Sequence, residues 1–176
     1  RVLEQAPLAI SMLAIHATRK SASNNLMVAN SKGFAIDFEC VPDETFHILP
    51  DNGLLVHANH FQSPVALAKL RDMGIMNMPD SLYRDVRVRE LLAPVRDSMT
   101  VDDVKSALFD DFETPWAVCR PPRKSFSNNL SATVAMIVMV PEDGRMDVAM
   151  LPALNRTFQS YQLEMEAAPV KTVGHS

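Results

Sequence analysis

Four consecutive residues carry the side chains most capable of chemistry in this sequence, the His-Ala-Asn-His run at positions 57–60. The Asp-Asn-Gly at 51–53 predicts a tight turn before them, because these residues tolerate positive φ. The apolar residues 54–56 then predict a buried strand. An asparagine at the end of such a strand can donate its amide N–H to a developing negative charge, or it can cap a loop. Asn59 is therefore a candidate oxyanion donor.

The two histidines of this run, His57 and His60, raise the question of a metal site. Residues three apart on a strand face opposite sides, so joint ligation of one ion requires a bend in the chain. We therefore predict no metal site. Instead, His57 and His60 are expected to support the site through hydrogen bonds and to contribute to substrate binding.

Other reactive side chains have simpler interpretations. Cys40 falls on the apolar face of a predicted strand, where a thiol is usually inert. Cys119 precedes Arg120, whose charge can lower the pKa of the thiol. Asp37 and Glu39 are expected on the solvent face of the same strand as Cys40. Two carboxylates at this spacing can also share acid–base work, although no other feature of the sequence requires it.

The elements expected to position these residues form an α+β layer fold. A helix is predicted from residue 8 to about residue 19, and an antiparallel meander of four strands over residues 25–58. Residues 62–78 show no clear period. Two helices follow, the first capped by Asp80 or Ser81 and the second by a capping box at Thr100. The first of these helices carries Arg84, Arg87 and Arg89, which are expected to form a solvated face with local ion pairs.

The C-terminal third predicts a second group of strands. Residues 132–140 are apolar on both faces, which is typical of a central strand. Residues 146–150 are expected to pair with them, and residues 158–163 to form a last strand. An exposed loop is predicted over residues 121–129, and a frayed tail over residues 164–176.

Composition excludes several classes of protein. The 176 residues match one domain, and the net charge of −4 argues against a nucleic-acid or membrane surface, which requires a basic stripe. Two cysteines do not form a disulfide framework, so a reducing, cytoplasmic location is expected. The chain opens at Arg1 with a sequence typical of a helix already under way, so we expect it to be part of a longer protein.

Several segments, in order, resemble one family, the acyl-coenzyme A:6-aminopenicillanic acid acyltransferase (isopenicillin N acyltransferase) family of N-terminal nucleophile hydrolases. The matching segments are residues 33–42, with Gly33, Glu39 and Pro42; residues 53–61, similar to the family's His-Thr-Asn-His stretch with Ala58 in place of Thr; residues 79–84 (Pro-Asp-Ser-Leu-Tyr-Arg); Cys119-Arg120; and Ala132-Thr133. The resemblance covers most of residues 1–176.

The resemblance implies a four-layer αββα sandwich, of which residues 1–176 would form the C-terminal portion with mostly antiparallel strands. It also implies self-cleavage that exposes an N-terminal cysteine, which attacks an amide or thioester carbonyl with its own α-amino group as base. Asn59 occupies the family position that helps to hold the oxyanion. No cofactor is implied, and an acyl-coenzyme A is expected only as a substrate.

The departures from the family pattern leave a second hypothesis open. The family's cysteine and a following aspartate lie upstream of every matched segment, and Leu130 stands where the family carries an arginine. The nucleophile would therefore come from the upstream half of the same protein or from a separate chain. The alternative is a degenerate, non-catalytic relative that binds a small molecule or a partner. If half of the sandwich is missing, residues 1–176 expressed alone should aggregate.

Overall fold

Helices and antiparallel sheets make up the computed structural model, which describes residues 8–124 and 129–163. The helices are α1 (Leu8–Ala17), α2 (Pro64–Lys69), α3 (Gly74–Asn77), α4 (Asp80–Leu92) and α5 (Val101–Leu108), and a 3₁₀ segment follows α4 at Ala93–Ser98. The strands are β1 (Asn24–Ala29), β2 (Ala35–Cys40), β3 (Thr45–Ile48), β4 (Arg123–Lys124), β5 (Leu130–Ser131), β6 (Ala135–Val140), β7 (Arg145–Met150) and β8 (Gln159–Gln162). The predicted α+β class is confirmed.

The first sheet has the order β1-β2-β3, with antiparallel pairing throughout. Its middle strand buries Ile36, Phe38 and Cys40, which pack with Ile15 of α1. The period-2 alternation of β2 places these three side chains on one face. A hydrophobic core therefore forms between α1 and this sheet, as the apolar pattern predicted.

The predicted fourth strand of this meander is wrong. The turn is present, with φ of 49° at Asn52 and 78° at Gly53. However, the chain beyond it forms only an isolated bridge between Asp51 and Leu54. The carbonyl oxygen of Val56 accepts a hydrogen bond from Arg89 of α4 at 2.7 Å. A side chain thus supplies the partner that a neighbouring strand would have supplied, and residues 55–60 run as an irregular segment.

The helical part of the chain was predicted in part. Residues 62–78 contain α2 and α3, the former begun by Ser63, whose hydroxyl accepts from the backbone N–H of Ala66. The capping box of α5 is confirmed, since Thr100 and Asp103 exchange hydrogen bonds between side chain and backbone. Asp80 and Ser81 are not caps. Both lie inside α4, where the Asp80 side chain accepts from Arg84 of the same helix and the Ser81 hydroxyl accepts from the backbone N–H of Asn59.

The second large sheet has the order β6-β7-β8, so β7 is its middle strand among the described residues. Among the described residues β6 pairs with β7 alone and lies at the edge of the sheet, so the prediction that residues 132–140 form a central strand is wrong there. The strand also begins later than predicted, because the backbone N–H of Thr133 donates to the carbonyl of Arg120. One face of the sheet packs against α5, with Met136 and Val138 buried there.

Two further expectations concern the ends and the surroundings of the molecule. Among the described residues, none of the helices combines the length and apolar character needed to cross a bilayer. The predicted frayed tail at residues 164–176, and residues 125–128 of the predicted loop, lie outside the described part of the chain.

Candidate functional site

Two carboxylates are buried on the second face of β2, opposite the apolar core. The side chains of Asp37 and Glu39 are 0% and 1% exposed. The prediction that they form the solvent face of the strand is therefore wrong. Burial of charge requires compensating partners, and the irregular segment after residue 54 supplies most of them.

Glu39 receives hydrogen bonds on both carboxylate oxygens. Oε1 accepts from His57 Nε2 at 2.8 Å and from the backbone N–H of Gln62, and Oε2 accepts from the backbone N–H of Ser63 at 3.1 Å. Burial alone raises the pKa of Glu39, but these three hydrogen bonds outweigh it and leave the pKa below its usual value. Glu39 is thus a charged anchor that holds the segment against the sheet.

His57 is held on both ring nitrogens. Its Nδ1 lies 2.7 Å from the carbonyl oxygen of Ala58, and its Nε2 lies 2.8 Å from Glu39. Both partners are acceptors, so both nitrogens carry protons. Burial lowers the pKa of His57, but the bond to Glu39 and the charge of Asp37 at 3.8 Å raise it overall. With neither nitrogen free, His57 acts as a fixed cation of the scaffold.

Asp37 has fewer partners than Glu39. Its Oδ2 accepts from Asn25 Nδ2 at 2.7 Å, while its Oδ1 is buried without a hydrogen bond. Burial raises the pKa of Asp37, and the opposing effects of Asn25 and His57 do not cancel that rise. The two carboxylates of β2 therefore have pKa shifts of opposite sign.

Asn59 and His60 are held by one serine of α4. The fully buried Ser81 hydroxyl accepts from the backbone N–H of Asn59 at 2.7 Å and lies 2.9 Å from His60 Nδ1. Its own proton can be donated to His60 Nδ1 when the ring is neutral with its proton on Nε2. Burial lowers the pKa of His60, in agreement with the neutral form.

The side chain of Asn59 is oriented by Arg84 of α4. Arg84 Nη2 donates to Asn59 Oδ1 at 2.8 Å, while Arg84 Nε donates to Asp80 Oδ2 at 3.0 Å. Because the amide oxygen is occupied, the amide Nδ2 is the end available to a ligand. Among the described residues, Nδ2 donates no hydrogen bond.

A second arginine of α4 ties the same segment to the helix. Arg89 donates to Val56, to Gln62 Oε1 at 3.1 Å and to Asp85 Oδ2 at 3.0 Å. The third, Arg87, pairs with Asp110 at 2.8 Å.

The predicted local ion pairs of Arg84 and Arg89 are confirmed. Their predicted solvated face is wrong for Arg84, whose side chain is largely buried and which, like Arg89, anchors the site segment.

The irregular segment borders a cleft of about 410 Å³. Asn59, His57 and His60 all line it, together with Glu39 and the apolar side chains of Met73 and Met78. The three residues singled out from the sequence therefore meet in one place. The cleft is bordered by the Asn59 amide, whose Nδ2 has no partner among the described residues, and by His60, whose pKa burial lowers, which is an arrangement suited to binding a carbonyl oxygen.

Other candidates from the sequence lie away from this cleft. Cys40 and Cys119 are buried free thiols. The predicted lowering of the Cys119 pKa by Arg120 is wrong, because burial raises it and the opposing charge is that of Arg156. In the part of the chain that the structure describes, no group of three or more His, Cys, Asp or Glu side chains is placed to hold a metal ion.

Sequence reasoning missed the groups that hold Asn59 in place. Ser81 was considered only as a cap and Arg84 only as a surface charge. Both belong to the Pro-Asp-Ser-Leu-Tyr-Arg segment, whose similarity to the family was the available signal. No family model matches the chain, and no curated protein is significantly similar to it.

Proposed function

We propose that this chain is the C-terminal part of a cysteine N-terminal nucleophile hydrolase or acyltransferase that acts on amide or acyl-thioester bonds. The single observation that carries the proposal is the exposed Asn59 amide at the cleft, with its oxygen bonded to Arg84 and its Nδ2 free. A fixed donor at this place can bind the carbonyl oxygen of a substrate and hold its negative charge as a nucleophile attacks.

The rigidity of the surroundings supports this role. Asn59 is held through its backbone by Ser81 and through its side chain by Arg84, both from α4. Preorganised donors stabilise a transition state without reorganising during the reaction. His57 and Glu39 form a buried ion pair that fixes the segment, so in this proposal His57 supports the site and does not transfer protons.

The proposed fold is the four-layer αββα sandwich of the family. Two features support it: α1 covers one face of the first sheet, and α5 covers one face of the second. The opposite face of the second sheet carries exposed apolar side chains, including Ile137, Met139 and Met150. A sheet that packs on a second sheet needs such a face.

The nucleophile in this proposal comes from an upstream segment of the same protein or from a separate chain. Neither Cys40 nor Cys119 is suited to the role, since both are buried. N-terminal sequencing of the native protein tests this point. A mature chain or a partner chain that begins with cysteine is expected, and its absence would contradict the catalytic hypothesis.

Substitution of Asn59 tests the site itself. In the complete protein, Asn59→Ala should lower the turnover of acyl p-nitroanilides or acyl thioesters by about 10²–10³-fold, as is usual for one oxyanion donor. Asn155 is a matched control, because it lies in an exposed turn where its side chain accepts only from Thr157. Unchanged turnover for Asn59→Ala, with Asn155→Ala as the reference, would falsify the proposed role.

A second candidate is a non-catalytic module that binds a small amide or a partner. The burial of both cysteines, with the raised pKa of Cys119, favours it over a complete enzyme within these residues. Saturable binding of an amide in the cleft without any turnover of the native protein would support this module.

A further inference from the structure

Three arginines lie near one another, and one of them, Arg84 of α4, contacts Asn59. Arg84 donates to Asp80 Oδ2 at 3.0 Å, and Arg120 Nη1 lies 3.5 Å from the same oxygen. The guanidinium of Arg123 lies close enough for its charge to act on Arg120. We call Arg84, Arg120 and Arg123 the arginine cluster.

Two members of the arginine cluster lack hydrogen-bond acceptors. The side chain of Arg120 is 17% exposed, and among the described residues it makes no hydrogen bond in addition to its 3.5 Å ion pair with Asp80. Arg123 stacks on Trp116, with 3.6 Å between the guanidinium carbon and the ring centroid, and its Nε is buried without an acceptor. A guanidinium carries five N–H donors, and stacking uses none of them.

The cluster also carries more positive than negative charge. Arg84 and Arg120 share the carboxylate of Asp80, and Arg123 makes no ion pair among the described residues, which leaves two positive charges. The pKa of Arg120 is below its usual value because of burial and the nearby charges of Arg84 and Arg123, with Asp80 opposing them. An anionic ligand would supply both the missing acceptors and the missing negative charge.

We propose that Arg120 and Arg123 bind a carboxylate or phosphate group of the ligand whose carbonyl is held by Asn59. The link between the two places is Arg84, which contacts both Asp80 and Asn59. This inference rests on the proposed function for the position of the carbonyl, whereas anion binding itself is independent of catalysis. The ligand is then an acyl compound with an anionic group, either an acylated amino acid or the thioester of a phosphorylated thiol.

Titration of the complete protein with small anions tests the proposal without any turnover. Inorganic phosphate and acetate are added separately at constant ionic strength, balanced with chloride, and binding is followed by the NMR signals of arginine Nε–H groups. Saturable binding of at least one anion is expected, with Arg120→Gln and Arg123→Gln each weakening it at least five-fold. Arg96→Gln is the control, since Arg96 is exposed and its one ion pair among the described residues is with Asp97.

Asp80→Asn gives a prediction of the opposite sign. Removal of the Asp80 carboxylate, which pairs with Arg84 and Arg120, should tighten binding of the same anion, whereas general damage to the fold would weaken it. Arg120→Lys provides a second variant of Arg120, because it retains the charge but loses the planar pair of donors, so binding should fall less than in Arg120→Gln. Absence of saturable binding, or equal losses in Arg96→Gln and Arg120→Gln, would overturn the proposal.

The two anions also distinguish the source of the charge. Preference for phosphate indicates the thioester of a phosphorylated thiol, and preference for acetate indicates an acylated amino acid; both support the anion site. If anion binding follows these expectations and Asn59→Ala leaves turnover unchanged, the anion site stands and the proposed catalytic role fails. If turnover depends on Asn59 but neither anion binds, the anion site fails and the catalytic role stands.

Discussion

The two three-stranded sheets differ in what they place on the face that their helix leaves uncovered. In the first sheet, β2 alternates apolar and acidic residues, and the acidic face with Asp37 and Glu39 is fully buried. In the second sheet, β6 is apolar throughout, yet Ile137 and Met139 are exposed. The comparison teaches that side-chain polarity identifies the faces of a strand but does not decide which of them is covered.

The cause of the difference lies in the segments that reach each face. An irregular segment carries His57 and the N–H groups of Gln62 and Ser63 onto β2, and these donors allow Glu39 to stay charged while buried. The outer face of the second sheet remains exposed among the described residues, with Met150 opposite Ala135. The polar face of the first sheet is therefore more deeply buried than the apolar outer face of the second sheet.

The largest expected effect comes from Glu39→Gln in the first sheet. The substitution removes the nearest counter-charge of His57 and replaces one acceptor oxygen with an N–H₂ that faces a donor, so the free energy of unfolding should fall by about 3–5 kcal/mol. Urea unfolding measures the change. Glu44→Gln is the control, since Glu44 pairs with Lys69 in an exposed bridge and should lose less than about 1 kcal/mol. Equal losses in the two variants would remove the contrast between buried and exposed acids.

Asp147→Asn makes the corresponding change in the second sheet and should destabilise less. Asp147 accepts from Lys105 and Ser160 at 2.7 Å, and these bonds, with the charges of Lys105 and Arg145, lower its pKa. Lys105 and Arg145 are both partly exposed, so water can solvate them after the substitution. Urea unfolding should show a smaller loss than for Glu39→Gln, and added salt should reduce it further. A loss as large as that of Glu39→Gln would mean that the two sheets bury charge equally.

The two histidines of the site should give opposite pH dependence. The raised pKa of His57 contributes stability that is complete below pH 6.5 and is lost as the pH rises through its folded value. The lowered pKa of His60 contributes stability that is present above pH 6.5 and is lost as the pH falls toward its folded value.

Variants of the two residues separate these contributions. His57→Gln should remove the loss of stability above pH 6.5, and His60→Gln should remove the loss just below it. Unfolding measured between pH 5 and pH 8 tests both, with His47→Gln on the exposed side of β3 as the control. The raised pKa of Asp37 is common to His60→Gln and His47→Gln and cancels between them, whereas His57→Gln removes a charge that lowers this pKa, so its comparison is made above pH 6.5.

The smallest expected effect is that of Met139→Lys on the outer face of the second sheet. Met139 is 65% exposed, so with no second sheet on this face the change in unfolding free energy should stay within about 0.5 kcal/mol, whereas the proposed sandwich predicts a larger loss. Met136 lies on the opposite face of the same strand and is 5% exposed, so Met136→Lys should cost about 3 kcal/mol or more. Thermal unfolding compares the two. Similar losses would mean that both faces of β6 are buried in the native protein.

Local sequence patterns predicted most helices and strands correctly, but they did not predict which faces of those helices and strands are buried. The helix at residues 8–17, the capping box at Thr100 and the hairpin of β6 and β7 follow from periodicity and turn residues close together in the chain. The solvent positions of Glu39 and Arg84 were wrong, because both depend on contacts with residues more than 15 positions away. The burial of Glu39 and Arg84 is visible only in the tertiary structure, where these distant residues come into contact.

The sequence by itself determined that Asn59 follows a tight turn and lies between two histidines, which was sufficient to select it as a candidate donor. The tertiary structure decided what surrounds it: Glu39 and His57 fix the segment, and Ser81 and Arg84 orient Asn59. The physical reason is that turn geometry and strand periodicity are local properties of the backbone. The pairing of buried charges depends instead on which distant residues exclude water together.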